Sequence, residues 1–77
     1  MKLRPLGANQ TELDIDGITT ILFSYQTPVA CITNDRAYKT DKSWSKTTSK
    51  HINQWLKHYD WIDLKPQSYF DNLVAGE

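Results

Sequence analysis

The residues able to do chemistry are few, and their spacing limits what they can do. Cys31 is the single cysteine, and His51 and His58 are the two histidines. A thiol–imidazole pair between Cys31 and His51 would make an activated nucleophile, but only if the segment carrying His51 crosses the one carrying Cys31. No acidic residue or second nucleophile is placed beside His51 by spacing. The ordinary reading is a buried, inert strand cysteine and a histidine flanking an apolar stripe, bonded to a sheet carbonyl or to Tyr38. No cysteine and histidine spacing suits zinc, and Asp60, Asp63 and Asp71 follow no calcium-loop pattern. We therefore expect no catalytic residue, no metal and no cofactor, and a protein that is not an enzyme.

The second chemical feature is a run of hydroxyls and lysines, Ser45-Lys46-Thr47-Thr48-Ser49-Lys50. At the start of a helix, free N–H groups, hydroxyls and ammonium groups together suit a phosphate. Net charge is zero but unevenly spread. Residues 36–58 hold Arg36, Lys39, Lys42, Lys46, Lys50 and Lys57 against Asp41 alone, whereas acidic residues exceed basic ones on both sides. Arg36, Lys39, Lys42, Lys46, Thr47 and Lys50 are thus the candidate contacts for a nucleic-acid backbone, with Tyr38 or Trp44 available for stacking. The competing reading is a helix cap plus a solvated lysine row, since dedicated nucleic-acid domains carry more positive charge overall.

Elements must position these groups. Seventy-seven residues suffice for one small α+β domain, expected over 1–77. Residues 1–10, with Pro5 and Gly7, read as an irregular lead-in. Residues 11–40 read as a four-stranded antiparallel β-meander. Thr11–Ile15 alternates, Asp16-Gly17 marks a two-residue hairpin, and Ile18–Tyr25 is β-branched and aromatic. Pro28 should break the ladder before a third strand over 29–33. Asn34-Asp35 turns into a fourth strand at Arg36–Thr40, with Cys31 opposite Tyr38 and Ile32 opposite Ala37.

The main amphipathic helix, residues 45–59, should be capped by Ser45 or Thr47. It should lay Ile52, Trp55, Leu56 and Tyr59 on one sheet face. Residues 58–65 read as a turn whose Trp61 and Ile62 pack inward. A short C-terminal helix over 66–75, started by Pro66 and stopped by Gly76, should sit beside the main one. A two-residue hairpin would leave Ile21, Phe23 and Tyr25 on the sheet face opposite Leu22, which makes them the candidate partner interface. No stretch has the roughly 18 apolar residues of a membrane span, and no signal-length apolar run follows the N-terminus. The expectation is a cytoplasmic protein without a membrane partner.

Two segments are familiar: Leu22-Phe23-Ser24-Tyr25-Gln26-Thr27-Pro28-Val29-Ala30, and Trp44-Ser45-Lys46-Thr47-Thr48-Ser49-Lys50-His51-Ile52-Asn53-Gln54-Trp55-Leu56. They resemble a family of short, uncharacterised proteins encoded by tailed bacteriophages and prophages, over roughly residues 8–74. The chain departs from that pattern at Asn34-Asp35-Arg36-Ala37, where glycine-rich sequence is usual, and in the insertion His58-Tyr59-Asp60-Trp61. The resemblance implies an accessory protein inside an infected bacterial cell and carries over no catalytic residue. The leading expectation is a non-enzymatic binding module that docks on a host or phage protein, with self-association through Ile21, Phe23 and Tyr25. The alternative is nucleic-acid binding through the basic segment.

Overall fold

The β-branched run beginning at Thr19 forms the middle of a six-stranded sheet in the computed structural model, which describes residues 2–7 and 9–75. Strands β1 (Lys2–Gly7), β2 (Gln10–Asp14), β3 (Thr19–Ser24), β4 (Thr27–Thr33) and β5 (Arg36–Thr40) follow one another antiparallel. Helix α1 (Lys46–Trp55) then carries the chain across one face to β6 (Ile62–Lys65), which pairs parallel with β5. A parallel neighbour needs such a crossover. Helix α2 (Gln67–Ala75) closes the chain, and the stop expected at Gly76 lies outside the described residues. The fold is α+β, but with six strands rather than four.

Three element assignments are corrected. Residues 2–7 are a strand, not a lead-in. Pro5 is tolerated there because β1 is the sheet edge, where a missing N–H breaks no inner ladder. Residues 62–65 form β6 instead of a turn. The main helix ends at Trp55 rather than Tyr59, because the chain must turn back toward the edge of β5. Tyr59 still packs on the core from that turn, its N–H held by the Leu56 carbonyl at 3.0 Å.

The first hairpin is wider than a two-residue turn. The Asp14 carboxylate accepts from Gly17 N–H, and that of Asp16 accepts from Ile18 and Thr19 N–H. Ile15 N–H closes the loop on the Thr19 carbonyl at 3.0 Å. Leu13 consequently pairs with Ile21, not Thr20. A one-residue slip reverses the face of every side chain, so Leu13 shares its face with Ile21. The second hairpin turns tightly at Tyr25-Gln26. Pro28 lies within β4 opposite Phe23, next to a bulge that leaves Val29 without a partner on β3. No β5 residue pairs with Pro28, so its absent N–H is not missed there. The third hairpin matches expectation: Asn34 and Asp35 both have positive φ, at 51° and 63°, and Cys31 pairs with Tyr38.

Apolar residues on both faces of β3 are explained by a helix on each. Leu22, Ala30, Ala37, Ile52 and Leu56 form one buried cluster, flanked by Trp44, Trp55, Tyr59 and Ile62. Ile21, Cys31 and Phe70 form the other, flanked by Phe23, Tyr38, Tyr69, Leu73 and Val74. Since α1 supplies the first and α2 the second, α2 lies across the sheet from α1 rather than beside it.

Candidate functional site

Ser45 begins α1 from an extended conformation, and its hydroxyl accepts the Thr48 N–H at 3.3 Å. This satisfies one otherwise orphaned first-turn donor. Thr48 and His51, one turn apart, face the sheet together. Ser24 Oγ lies 3.0 Å from Thr48 Oγ1 and 2.9 Å from His51 Nδ1, and all three residues are buried. Tyr25 covers the cluster, its ring centroid 6.3 Å from that of His51. The imidazole partner is therefore Ser24, not a sheet carbonyl or Tyr38. With Ser24 closed off from solvent, the pair fastens helix to sheet.

The Cys31–His51 pairing does not form. Cys31 faces α2 and His51 faces α1, so the sheet separates them. Burial pushes the Cys31 thiol up to about 11 and outweighs the opposing hydrogen bond with the Tyr69 hydroxyl. Such a thiol stays protonated and unreactive near neutrality. Among the described residues, no three His, Cys, Asp or Glu side chains converge as a metal site would require.

The opposite, solvent-facing side of α1 is built differently. Trp44 packs on the core, while its indole N–H donates to Gln67 Oε1 at 3.2 Å. Gln67 Nε2 donates in turn to the Pro28 carbonyl at 2.7 Å. The indole is thereby tied to both β4 and α2. Lys42 Nζ sits 4.4 Å from the Trp44 ring centroid, a cation–π contact. An open cavity of about 490 Å³ lies against Trp44, lined also by Lys46, Lys50 and Lys57. A second, of about 180 Å³, holds Lys39 and Lys42 against the same indole. Both touch Ser49 and Asn53, so they adjoin as one groove.

Five lysines surround this groove, and Arg4–Glu12 is the one ion pair among the described residues. Lys39, Lys42, Lys46 and Lys50 are thus brought together as the sequence suggested, and Lys57 joins them. Thr47 is exposed in the first turn. Arg36 is excluded: it sits at the other end of β5, in a cavity of about 390 Å³ shared with Asp35, Asp63 and Trp61. Tyr38 lies under α2 beside Tyr69, so it offers no stacking surface on the groove side.

The apolar interface expected of Ile21, Phe23 and Tyr25 is not one surface. Ile21 is fully buried beneath Phe70, and Phe23 is half-buried in the same cluster. Tyr25 alone is open to solvent, 52% exposed in a turn with φ at 60°. The exposed tryptophan is instead Trp61, at 78%, its indole N–H bonded to Asp63 Oδ1 at 2.8 Å. Asp63, two residues on, lies on the same side of the extended chain and can accept its N–H. That acceptor is the signal that argues against an inward Trp61.

The chain belongs to a family of unknown function (DUF8033), whose model matches residues 1–72. No curated protein and no solved structure matches it.

Proposed function

We propose that the chain is a non-enzymatic binding module that holds a single-stranded nucleic-acid backbone in the Trp44 groove. The observation carrying this reading is the ring of Lys39, Lys42, Lys46, Lys50 and Lys57 around a pinned indole, none of them in an ion pair among the described residues. A cationic groove walled by an aromatic ring suits a strand whose phosphates pair with ammonium groups while a base stacks. Loss of the Ile21 surface moves this reading ahead of protein docking, which keeps exposed Trp61 and Leu64 in its favour. The phage origin implied by the two sequence motifs would place the module in an infected bacterial cell.

The test is fluorescence anisotropy with a labelled single-stranded oligonucleotide across a salt series. If three to five phosphates are contacted, log K should fall with log salt at a slope of roughly −2 to −3.5. Lys46→Glu with Lys50→Glu should abolish binding, and the wild type should show partial quenching of tryptophan emission on binding. Absence of any complex at low salt refutes the reading.

A further inference from the structure

We propose that β6 is the seam of a symmetric homodimer, in which two copies pair their β6 strands antiparallel about Leu64. The sheet has two free edges, and they are built differently. Edge β1 carries Lys2, Arg4 and Pro5, with a register shift between Pro5 and Gly7, all devices that discourage a further strand. Edge β6, Ile62-Asp63-Leu64-Lys65, has no proline before Pro66 at its end, has no bulge, and leaves Leu64 60% exposed.

The backbone of β6 sets which registers are allowed. The Lys65 carbonyl accepts from Asp41 N–H at 2.9 Å, so Lys65 turns its polar groups toward β5. By strand alternation Asp63 does the same, whereas Ile62 and Leu64 present theirs to the open edge. In an antiparallel pair, outward residues must oppose outward ones. Centring on Leu64 meets that rule: each Leu64 gives its N–H to the carbonyl of the other. Asp63 then faces Lys65 of the second copy, and Lys65 faces Asp63, on one side of the sheet. Ile62 and Leu64 of both copies lie on the other side. Ile62 there meets Pro66 of the second copy, which has no N–H to give and whose carbonyl already accepts from Tyr69 N–H, so the seam rests on the two Leu64 bonds and the two charge pairs.

Centring instead on Asp63 would set two carboxylates against each other, which is destabilising. Centring on Lys65 would oppose two ammonium groups, and centring on Ile62 would set Asp63 against Trp61 and leave Lys65 without a carboxylate. Only the Leu64 register pairs the charges, and that selects a second copy as its occupant. The two-fold axis is normal to the sheet, so helix α1 of both copies projects from the same side.

Sedimentation velocity over a concentration series tests this. The wild type should move from 8.9 kDa toward twice that mass. Asp63→Lys and Lys65→Asp should each weaken association by at least about tenfold, because each sets like charges opposite one another. An equimolar mixture of the two variants should recover wild-type association. In the mixed pair the first variant presents two ammonium groups along its seam, and the second presents two carboxylates to meet them. Leu64→Lys, at an exposed site, should give a folded monomer by circular dichroism. A wild type that stays at 8.9 kDa at its highest soluble concentration overturns the proposal. So does a mixture that associates no better than either variant alone.

Discussion

Replacing Ser24 by alanine asks whether hydroxyl–imidazole bonding, as well as packing, holds α1 to the sheet. Ser24, Thr48 and His51 are 2%, 4% and 7% exposed, so water does not replace a lost partner. Removing the Ser24 hydroxyl takes one hydrogen bond from Thr48 and one from His51. Thr48 keeps Ser45 Oγ at 3.4 Å, whereas His51 Nδ1 is left without its protein partner. One stranded buried nitrogen costs about 1–3 kcal/mol, and weakened bonding at Thr48 adds about 0.5 kcal/mol. We expect a loss of about 2–3 kcal/mol, or about 10–20 °C in Tm for a domain of this size. Urea unfolding followed by tryptophan emission measures it, with the denaturant slope unchanged. The decisive step is a double-mutant cycle with His51→Leu. Removing the stranded ring should make the second substitution less costly in the Ser24→Ala background than in the wild type. A Ser24→Ala protein within about 0.5 kcal/mol of wild type, or a strictly additive cycle, refutes the reasoning.

Two further outcomes concern the α2-side cluster and the first hairpin. The Cys31 thiol is raised from 9.0 to about 11 and Tyr69 is raised from 10.0, both chiefly by burial. The unfolded chain therefore loses its thiol proton first, and stability falls as pH rises from about 9 through 11. For Cys31 the fall is about 2–3 kcal/mol, measured by denaturation at stepped pH, with Cys31→Ala flattening the profile. Gly17 has φ at 82°, and a Cβ there would meet nothing within 4 Å. Gly17→Ala should therefore cost about 1 kcal/mol from backbone conformation alone, seen as a lower urea midpoint; a neutral result would show the turn readjusting.

The parts of the fold that were legible in the sequence are those with a local cause. Asn34-Asp35 dictates a tight hairpin, so the Cys31–Tyr38 register followed. Ser45 dictates a cap, so the start of α1 followed. The first hairpin failed because two carboxylates, Asp14 and Asp16, bond the turn N–H groups and widen it. That one-residue change in register decides which side chains meet which helix. Strands β1 and β6 were missed because Pro5 argued against the first and four residues give little periodicity for the second. The lysine groove was visible as a charge run, but Arg36 could be removed from it only once β5 set its two ends apart. Ser24 was readable in principle, as the polar residue directly after Ile21-Leu22-Phe23 on the face of Leu22, with Thr48 and His51 one turn apart to receive it.

Placing a helix on each side of the sheet has a consequence for how the chain matures. Emerging from the ribosome in order, the five-strand meander and α1 can assemble first. Ile21 and Cys31 then remain bare until Phe70, carried by α2 after β6, arrives to seal them. Helix α2 thus decides whether the newborn sheet becomes a finished domain or a sticky surface. Released chains truncated before residue 67 should be recognised by hydrophobic chaperones, and chains that include α2 through residue 75 should escape them.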